Sequence, residues 1–500
     1  MNCHYKSVAY IILFFFFNSA FAAKWDLSPQ IAISETYHDN VTLQSQNKNK
    51  EIISQINPSI SLKGVGKKIQ LLSSYTLNYL NYYGEEFSDQ INHQANLSSD
   101  FEVIEKNLFI NSAASLSRQT VDPLGKGVGD NLAVTDNKSD VVSVSVNPIL
   151  INRIGSYANS LFSYKYSYID FSDPKLASNW FNSYNYSLTS GSWFKTLTWT
   201  SSISAGYSSE SNANSYQANF RANYVLSKHW DAFILGRATK SNYLSSQGDE
   251  LANFVAAESG VIWSPSRKFS LELGGGAIFD GRELSKQKLV AEQPTWRAVL
   301  KLSPSSRTSL ELGREQAEFG RRIYGLLSHL HRRTTLSSEY SEVTSQPLQQ
   351  RIASDGSFVQ GNTTVSQINR APTNDVVLRR RFSASGEHKR RKVTLNSGAF
   401  VEKGEFKTVA QSDRIYGINF GLNISMSRSV SSDFGISMQR YSIEDINSAN
   451  NSYSLNIAVT KTFAKYLQTS ISYNWFKRSA NDIAGNYITN IIVAQLKLTY

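Results

Sequence analysis

Tyr416, Ile418, Phe420, Leu422, Ile424 and Met426 alternate with Gly417, Asn419, Gly421, Asn423 and Ser425. A repeat of two residues gives an extended strand one apolar and one small, polar face, a pattern that 3.6 residues per turn does not produce. The same pattern sets Leu197, Trp199, Ile203, Ala205 and Tyr207 against Thr196, Thr198, Thr200, Ser202 and Ser204. It returns where Tyr453, Leu455, Ile457 and Val459 alternate with Ser454, Asn456, Ala458 and Thr460. An all-β chain is predicted. With 26 Tyr, 26 Phe and 8 Trp but only 10 Pro, the composition suits strands, and the polarity comes largely from Ser and Asn.

Residues 1–22 read MNCHYKSVAYIILFFFFNSAFA, with Lys6 ahead of an apolar run from Val8 to Phe17 and small residues at Ala20 and Ala22. That is the layout of a secretory signal peptide, with cleavage expected after Ala22. Cys3, the single cysteine, would leave with it. The mature chain, 23–500, then excludes disulfides, thiol catalysis and cysteine-ligated metals together. Beyond Ala22 no apolar run approaches the roughly 18 residues that a membrane-spanning helix needs.

Soluble sandwiches alternate as well, so the connections and the polar face must decide. Short polar turns are expected at 64–68, 151–155, 227–230, 264–268, 303–307 and 463–466, with longer stretches such as 121–136 and 346–375 between the strand pairs. Short and long connections alternate when one end of a barrel carries tight periplasmic turns and the other carries external loops. Eleven short turns between 60 and 470 predict about 24 strands; the blurred stretch 308–346 widens the range to 20–24. The face opposite the apolar one is Ser, Thr, Asn and Gly, too polar for a dry core, so it should meet water while the apolar face meets lipid. The expected fold is a transmembrane antiparallel β-barrel in the outer membrane, a single domain in which residues 346–375 could form a constriction. Its first strand, near 27–41, should pair with its last.

The aromatic clusters YTLNYLNYYG at 75–84 and NWFNSYNYS at 179–187 fall mostly on the lipid face, as interfacial girdles do. A lumenal track for stacking sugars is the alternative. Charge is uneven: residues 281–400 hold 20 Lys and Arg against 10 Asp and Glu, or +10 of the chain's +11. EHKRRK at 387–392 reads as a solvated turn. Arg379 and Arg381 have the parity of a lumen lining, where they would guide an anionic solute or polymer. No catalytic constellation emerges. His329 and His331 lie beside arginines, which disfavours a metal; the pairs Glu315/Glu318 and Glu339/Glu342 are ordinary on a polar lumen or loop. No cofactor, nucleic acid or enzymatic activity is implied.

WDLSPQIAISETYHDNV at 25–41 resembles the segment that opens the mature chain in outer-membrane barrels associated with the PEP-CTERM/exosortase system. FGRRIYGLLSHLHRRTTLSSEYSEVTSQ at 319–346 is similar to a second patch of that family, an aromatic-Gly step, a basic turn and a Tyr-Ser-Glu strand; Leu330 and His331 depart from its more uniformly basic and polar turn. The two segments cover under a tenth of the chain. The resemblance implies a role in exopolysaccharide export across the outer membrane and supplies no catalytic residue. A general diffusion porin for small solutes and a plugged structural barrel are the alternatives.

The chain's final strand, IIVAQLKLTY, puts Ile492, Ala494, Leu496, Leu498 and Tyr500 on one face, with Gln495 and Lys497 on the other. The first set is expected to face lipid and to be read by the barrel assembly machinery. Gln495 and Lys497 are expected to face water. The remaining expected partners are outer-membrane lipids, an anionic polysaccharide and periplasmic export proteins.

Overall fold

The computed structural model describes residues 23–120, 126, 132–174, 178–209, 213–245, 248–283, 288–289, 293–317, 320–345, 377–406, 412–444, 448–481 and 485–500. The expected signal peptide at 1–22 and the 346–375 segment lie outside the described residues. Twenty-five strands form one sheet. One of them, β14 (Lys288–Leu289), is a two-residue piece folded back on the end of β13 (Phe269–Glu283). The other twenty-four each pair antiparallel with the strands before and after them, so the count falls at the top of the expected range.

Closure is made by β1 (Lys24–His38) against β25 (Tyr487–Thr499), in register from Gln30↔Thr499 to His38↔Ile491. It removes the two open edges that hydrocarbon could not satisfy. The first strand runs three residues earlier than expected at both ends. The blurred stretch resolves into β16 (Thr308–Ala317), β17 (Gly320–His331) and β18 (Thr334–Ser345). Fourteen residues, a common strand length here, extend about 46 Å at ~3.3 Å each; a tilt of about 40° leaves ~35 Å of height, more than the ~25 Å apolar band of a membrane barrel.

Eleven connections of two to six residues lie at the end that holds both termini, as the turn count required. The expected turn at 151–155 falls at 155–157, and the EHKRRK segment is the end of β19 (Val377–Arg390) plus the turn 391–392. Connections at the other end are longer on the whole, up to the thirty-one residues of 346–376, but only two residues separate β11 from β12 and β16 from β17, so the alternation is incomplete.

The faces sort as the alternation demands. Ile418, Ile436, Ile457, Ile471 and Ile492 are exposed side chains on successive strands, and all share the outward face, which lies open because its partner is lipid. Most of the clustered aromatics follow: Tyr75, Tyr79, Trp180, Tyr184 and Tyr186 point outward, while Tyr82 and Phe181 point inward and are buried. Outward rings pair across strands, Tyr164 with Tyr184 at 4.8 Å and Trp180 with Tyr207 at 5.0 Å. The outward apolar face and the polar inner face together make this a membrane-spanning barrel. No helix of the described residues is long and apolar enough to cross a membrane.

Candidate functional site

The lumen carries a belt of arginine and glutamate along one wall. Its first part is built on β10 (Ala213–Val225), β11 (Trp230–Ser245), β12 (Gly248–Ser266), β13, β15 (Pro294–Ser305), β16 and β17. Arg221 donates both terminal nitrogens to Glu272, at 3.1 and 2.9 Å, and Arg297 donates Nε to the same carboxylate at 2.6 Å. Arg297 also reaches Glu315, which further holds Arg322 at 3.2 Å and Arg237 at 3.6 Å. Arg237 in turn meets Glu258 at 2.6 Å. The four glutamates that anchor the whole belt are buried.

The second part lies on β19 and β20 (Val393–Phe406). Arg379 and Arg381 face the lumen as their parity required, and both share buried Glu402, Arg379 through a fork at 3.0 and 2.6 Å and Arg381 at 3.4 Å. The wall is therefore not a bare cationic surface. Six inward arginines against four glutamates leave the belt at +2, with each arginine held in place by a carboxylate. Bidentate and shared pairing fixes the guanidinium planes without cancelling the charge.

Aromatic rings support the same arginines from below. Arg221 lies 4.8 Å from the Phe233 ring, Arg237 5.7 Å from Phe254, Arg322 5.6 Å from Tyr324 and Arg381 5.0 Å from Phe400. Three of those rings, Phe233, Tyr324 and Phe400, the last over Gly417, need a glycine beneath them. A Cβ on Gly274 would stand 2.7 Å from the Phe233 ring, and one on Gly313 would run into Tyr324. The close approach explains why these lumen positions carry no side chain. A cavity of ≈ 540 Å³ opens on the belt, lined by Gln217, Asn219, Arg221, Arg297, Glu315 and Tyr324 among others. Wet, amide-rich and charged, it suits polar solutes rather than a hydrophobic ligand.

At the loop end, two connections turn into the barrel. Residues 39–50, after β1, bury Val41 and Leu43 completely; residues 132–137, before β6 (Lys138–Ile154), bury Leu132 and Ala133. Val41 packs with Leu132 among Ile53, Leu80, Tyr82 and Ile491; Leu43 packs with Ala133 and Tyr487. Backbone joins the two segments, Val134 N–H donating to the Val41 carbonyl at 2.9 Å, and the Tyr82 hydroxyl donates to Leu132 O at 2.9 Å. Asp39 latches the first segment to β25, accepting from Asn490 N and Nδ2 at 2.6 Å each and from Thr489 Oγ1 at 3.0 Å. Asn40 adds a bond from its Nδ2 to Ile488 O at 3.1 Å. Partial burial would raise the Asp39 carboxyl, but bonds from Asn490 and Thr489, with Lys48 nearby, hold it below the ordinary value of 3.8.

This inward cap was not the constriction expected from the sequence at 346–375. Its signals were Val41 and Leu43 ahead of a polar QSQNKNK run, the apolar triplet LAV at 132–134, and apolar residues of lumen parity such as Ile53, Leu80 and Ile491. Gln495 and Lys497 face the lumen, opposite Ser34 and Ala32; Leu496 and Leu498 face outward, opposite Ile33 and Ile31. Tyr500 is 92% exposed and donates its backbone N–H to Pro29 O at 2.9 Å. His329 and His331 stack at 6.2 Å on the outward face, where His329 Nδ1 meets Thr308 Oγ1 at 2.8 Å. Among the described residues no group of three or more metal-ligating side chains gathers.

The two mouths differ in charge. Ten of the eleven turns at the terminus-bearing end contain Lys or Arg, fourteen such residues in all, with Glu105 the single acid. By sequence, the connections at the other end hold sixteen Asp and Glu against nine Lys and Arg.

No protein-family model matches the chain, and no curated protein matches it in sequence. Solved structures to which it is similar include the FrpB iron transporter of Neisseria meningitidis, at 9% identity and a TM-score of 0.46 over 95% of this chain and 83% of that one. Another is the outer membrane channel DcaP of Acinetobacter baumannii, at 8% identity and a TM-score of 0.35 over 97% and 99%. A loop-deletion form of the outer membrane protein OmpT of Vibrio cholerae is similar at 9% identity and a TM-score of 0.33, over 96% and 100%.

Proposed function

We propose that the chain is an outer-membrane channel that passes an anionic polymer, an exopolysaccharide of a PEP-CTERM/exosortase-type locus, from the periplasm to the outside. The carrying observation is the charge along the pore axis. Fourteen basic residues ring the mouth that holds the termini, the periplasmic one in this orientation, and six inward arginines follow in the lumen. A water-filled tube with low-dielectric walls focuses such a field and concentrates anions at its inner rim. The paired arginines hold a polyanion weakly, and the acidic outer rim does not retain what emerges. Direction comes from periplasmic export partners, and the barrel itself has no catalytic part. A polysaccharide suits the amide- and hydroxyl-rich lumen, whose hydrogen bonds to water can be exchanged for bonds to sugar at little cost.

The inward cap favours a second reading, a diffusion porin narrowed at its outer mouth. An acidic outer rim would admit neutral or cationic solutes rather than anions. Deleting the gene and measuring secreted polysaccharide separates the two. Loss of extracellular polymer with retained small-solute permeability supports export; unchanged polymer with lost permeability refutes it and leaves the porin.

A further inference from the structure

The outward face of the last third of the barrel carries a basic patch beside the loop-end rim. Arg380 stands opposite Lys403 on β20, and Lys403 opposite Arg414 on β21 (Ser412–Ser425), so three cations share one row. Arg440 on β22 (Val430–Ile443) lies opposite Tyr416, two residues along from Arg414. Lys477 on β24 (Leu467–Ala480) continues the patch opposite Tyr453 of β23 (Ser448–Ala464). All five share the outward parity of Phe382, Val401, Ile418 and Ile436, which are among the most exposed apolar side chains of the same strands. Each cation sits two to four residues beyond that apolar band, where hydrocarbon gives way to headgroups.

The patch is only partly neutralised. Glu342 meets Arg380 at 3.5 Å, Glu405 meets Arg380 and Lys403, and Glu444 meets Arg414 at 2.8 Å. Three acids thus face five cations. Among the described residues, Arg440 and Lys477 form no ion pair. Elsewhere the outward surface is different: β7 (Ala158–Phe171), β8 (Asn179–Ser190), β9 (Leu197–Ser208) and β10 present Tyr168, Trp180, Tyr207 and Tyr216 there, and no outward Lys or Arg. A general preference for cations at a membrane rim would spread them around the circumference. Outside β19–β24 the outward cations of that rim, such as Lys240, Arg314 and Arg321, are fewer and farther apart, and the run of five across neighbouring strands points to a localised anion.

We propose that this face binds the phosphate groups of an anionic lipid in the outer leaflet. The level selects the source: an anion held there must be carried in the plane of the membrane, beside an apolar surface that seats acyl chains. Arginine and lysine near a bilayer surface attract anionic headgroups by Coulomb interaction, and the guanidinium fork adds hydrogen bonds to phosphate oxygens. The belt in the lumen takes no part, because Arg379 and Arg381 point the other way.

The test uses the full barrel in phosphatidylcholine nanodiscs that contain a minor fraction of diphosphorylated lipid A, with bound lipid counted by native mass spectrometry after release. The wild type should retain lipid A over phosphatidylcholine. The R440Q/K477Q double variant should retain it roughly tenfold to thirtyfold less well, the effect of two surface cations. The R428Q/K465Q control, with the same charge change at the opposite rim, should retain it like the wild type. K477Q alone serves if the double variant loses its heat-modifiable mobility on gels. Equal retention by wild type and patch variant, equal loss in the control, or full displacement by millimolar inorganic phosphate would each overturn the proposal. None of these results bears on polymer export.

Discussion

Replacing Asp39 with Ala should free the inward cap at the outer mouth. The carboxylate accepts three hydrogen bonds, from Asn490 N and Nδ2 at 2.6 Å and from Thr489 Oγ1 at 3.0 Å, and lies 3.9 Å from Lys48. Bonds to a charged acceptor contribute about 1.5–3 kcal/mol each. They share one acceptor at a wet mouth, where water replaces part of what is lost, so about 2–4 kcal/mol in total is the reasonable figure. At 1.4 kcal/mol per factor of ten, the released state gains roughly thirtyfold to several hundredfold. The loop still buries Val41 and Leu43, so the expected outcome is a cap that opens often rather than one that is lost. Single-channel recording should show a larger or more frequently open conductance, and trypsin should cut at Lys48 or Lys50 faster than in the wild type. Acid should act in the same direction. The Asp39 carboxyl is held below 3.8 in the fold, so its contribution is fully present above that value and is lost only as pH falls through the lower folded value. The wild-type cap should therefore be insensitive to pH from 7 down to about 5. Unchanged conductance and protease resistance in Asp39→Ala would refute the latch.

Three further outcomes are expected. Glu315→Gln leaves Arg237, Arg297 and Arg322 around a neutral amide; it should cost up to about 3 kcal/mol in heat-modifiable mobility assays and raise anion over cation permeability, read as a reversal-potential shift across a KCl gradient. Gly313→Val drives a branched side chain into the Tyr324 ring, so melting should fall by the equivalent of about 1–3 kcal/mol, and adding Tyr324→Ala should recover part of it. A soluble polyanion should block current at lower concentration from the terminus-bearing side than from the loop side, and neutralising Arg332, Arg333, Arg391 and Lys392 together should narrow that difference.

Much of this architecture was legible because a period of two is an unambiguous signal. Parity alone placed Ile418 outward and Arg379, Arg381, Gln495 and Lys497 inward, and a count of short turns gave twenty-four strands. Parity assigns a face but says nothing of height or neighbour. That Arg379 and Arg381 share Glu402 depends on Arg381↔Glu402 register, and that Arg297 bridges Glu272 and Glu315 depends on two ladders whose strands could slide by two residues without changing either face. The cap was hidden for a different reason. Val41, Leu43 and LAV at 132–134 bury themselves through contacts between loops some ninety residues apart, and no local period records such a meeting.

The same distinction decides how the basic excess of residues 281–400 should be understood. In sequence it is one block of positive charge. In the barrel it divides three ways: Arg297, Arg322, Arg379 and Arg381 enter the lumen and are paired; Arg314 and Arg380 face outward near the rim; Arg307, Arg332, Arg333, Arg391 and Lys392 occupy the turns. The turn residues are largely without acids beside them in the sequence, and the turns of the rest of the barrel repeat their character at Lys67, Lys68, Lys228, Arg267, Lys268, Arg428 and Lys465. A field that is positive at one rim and negative at the other acts along the pore axis, whereas a charged wall would act across it. Across the pore, paired arginines cost a passing anion little to leave. Along it, the basic rim raises the local concentration of anions on one side only, which is the asymmetry that a conduit loaded from one side requires and that a symmetric diffusion pore does not.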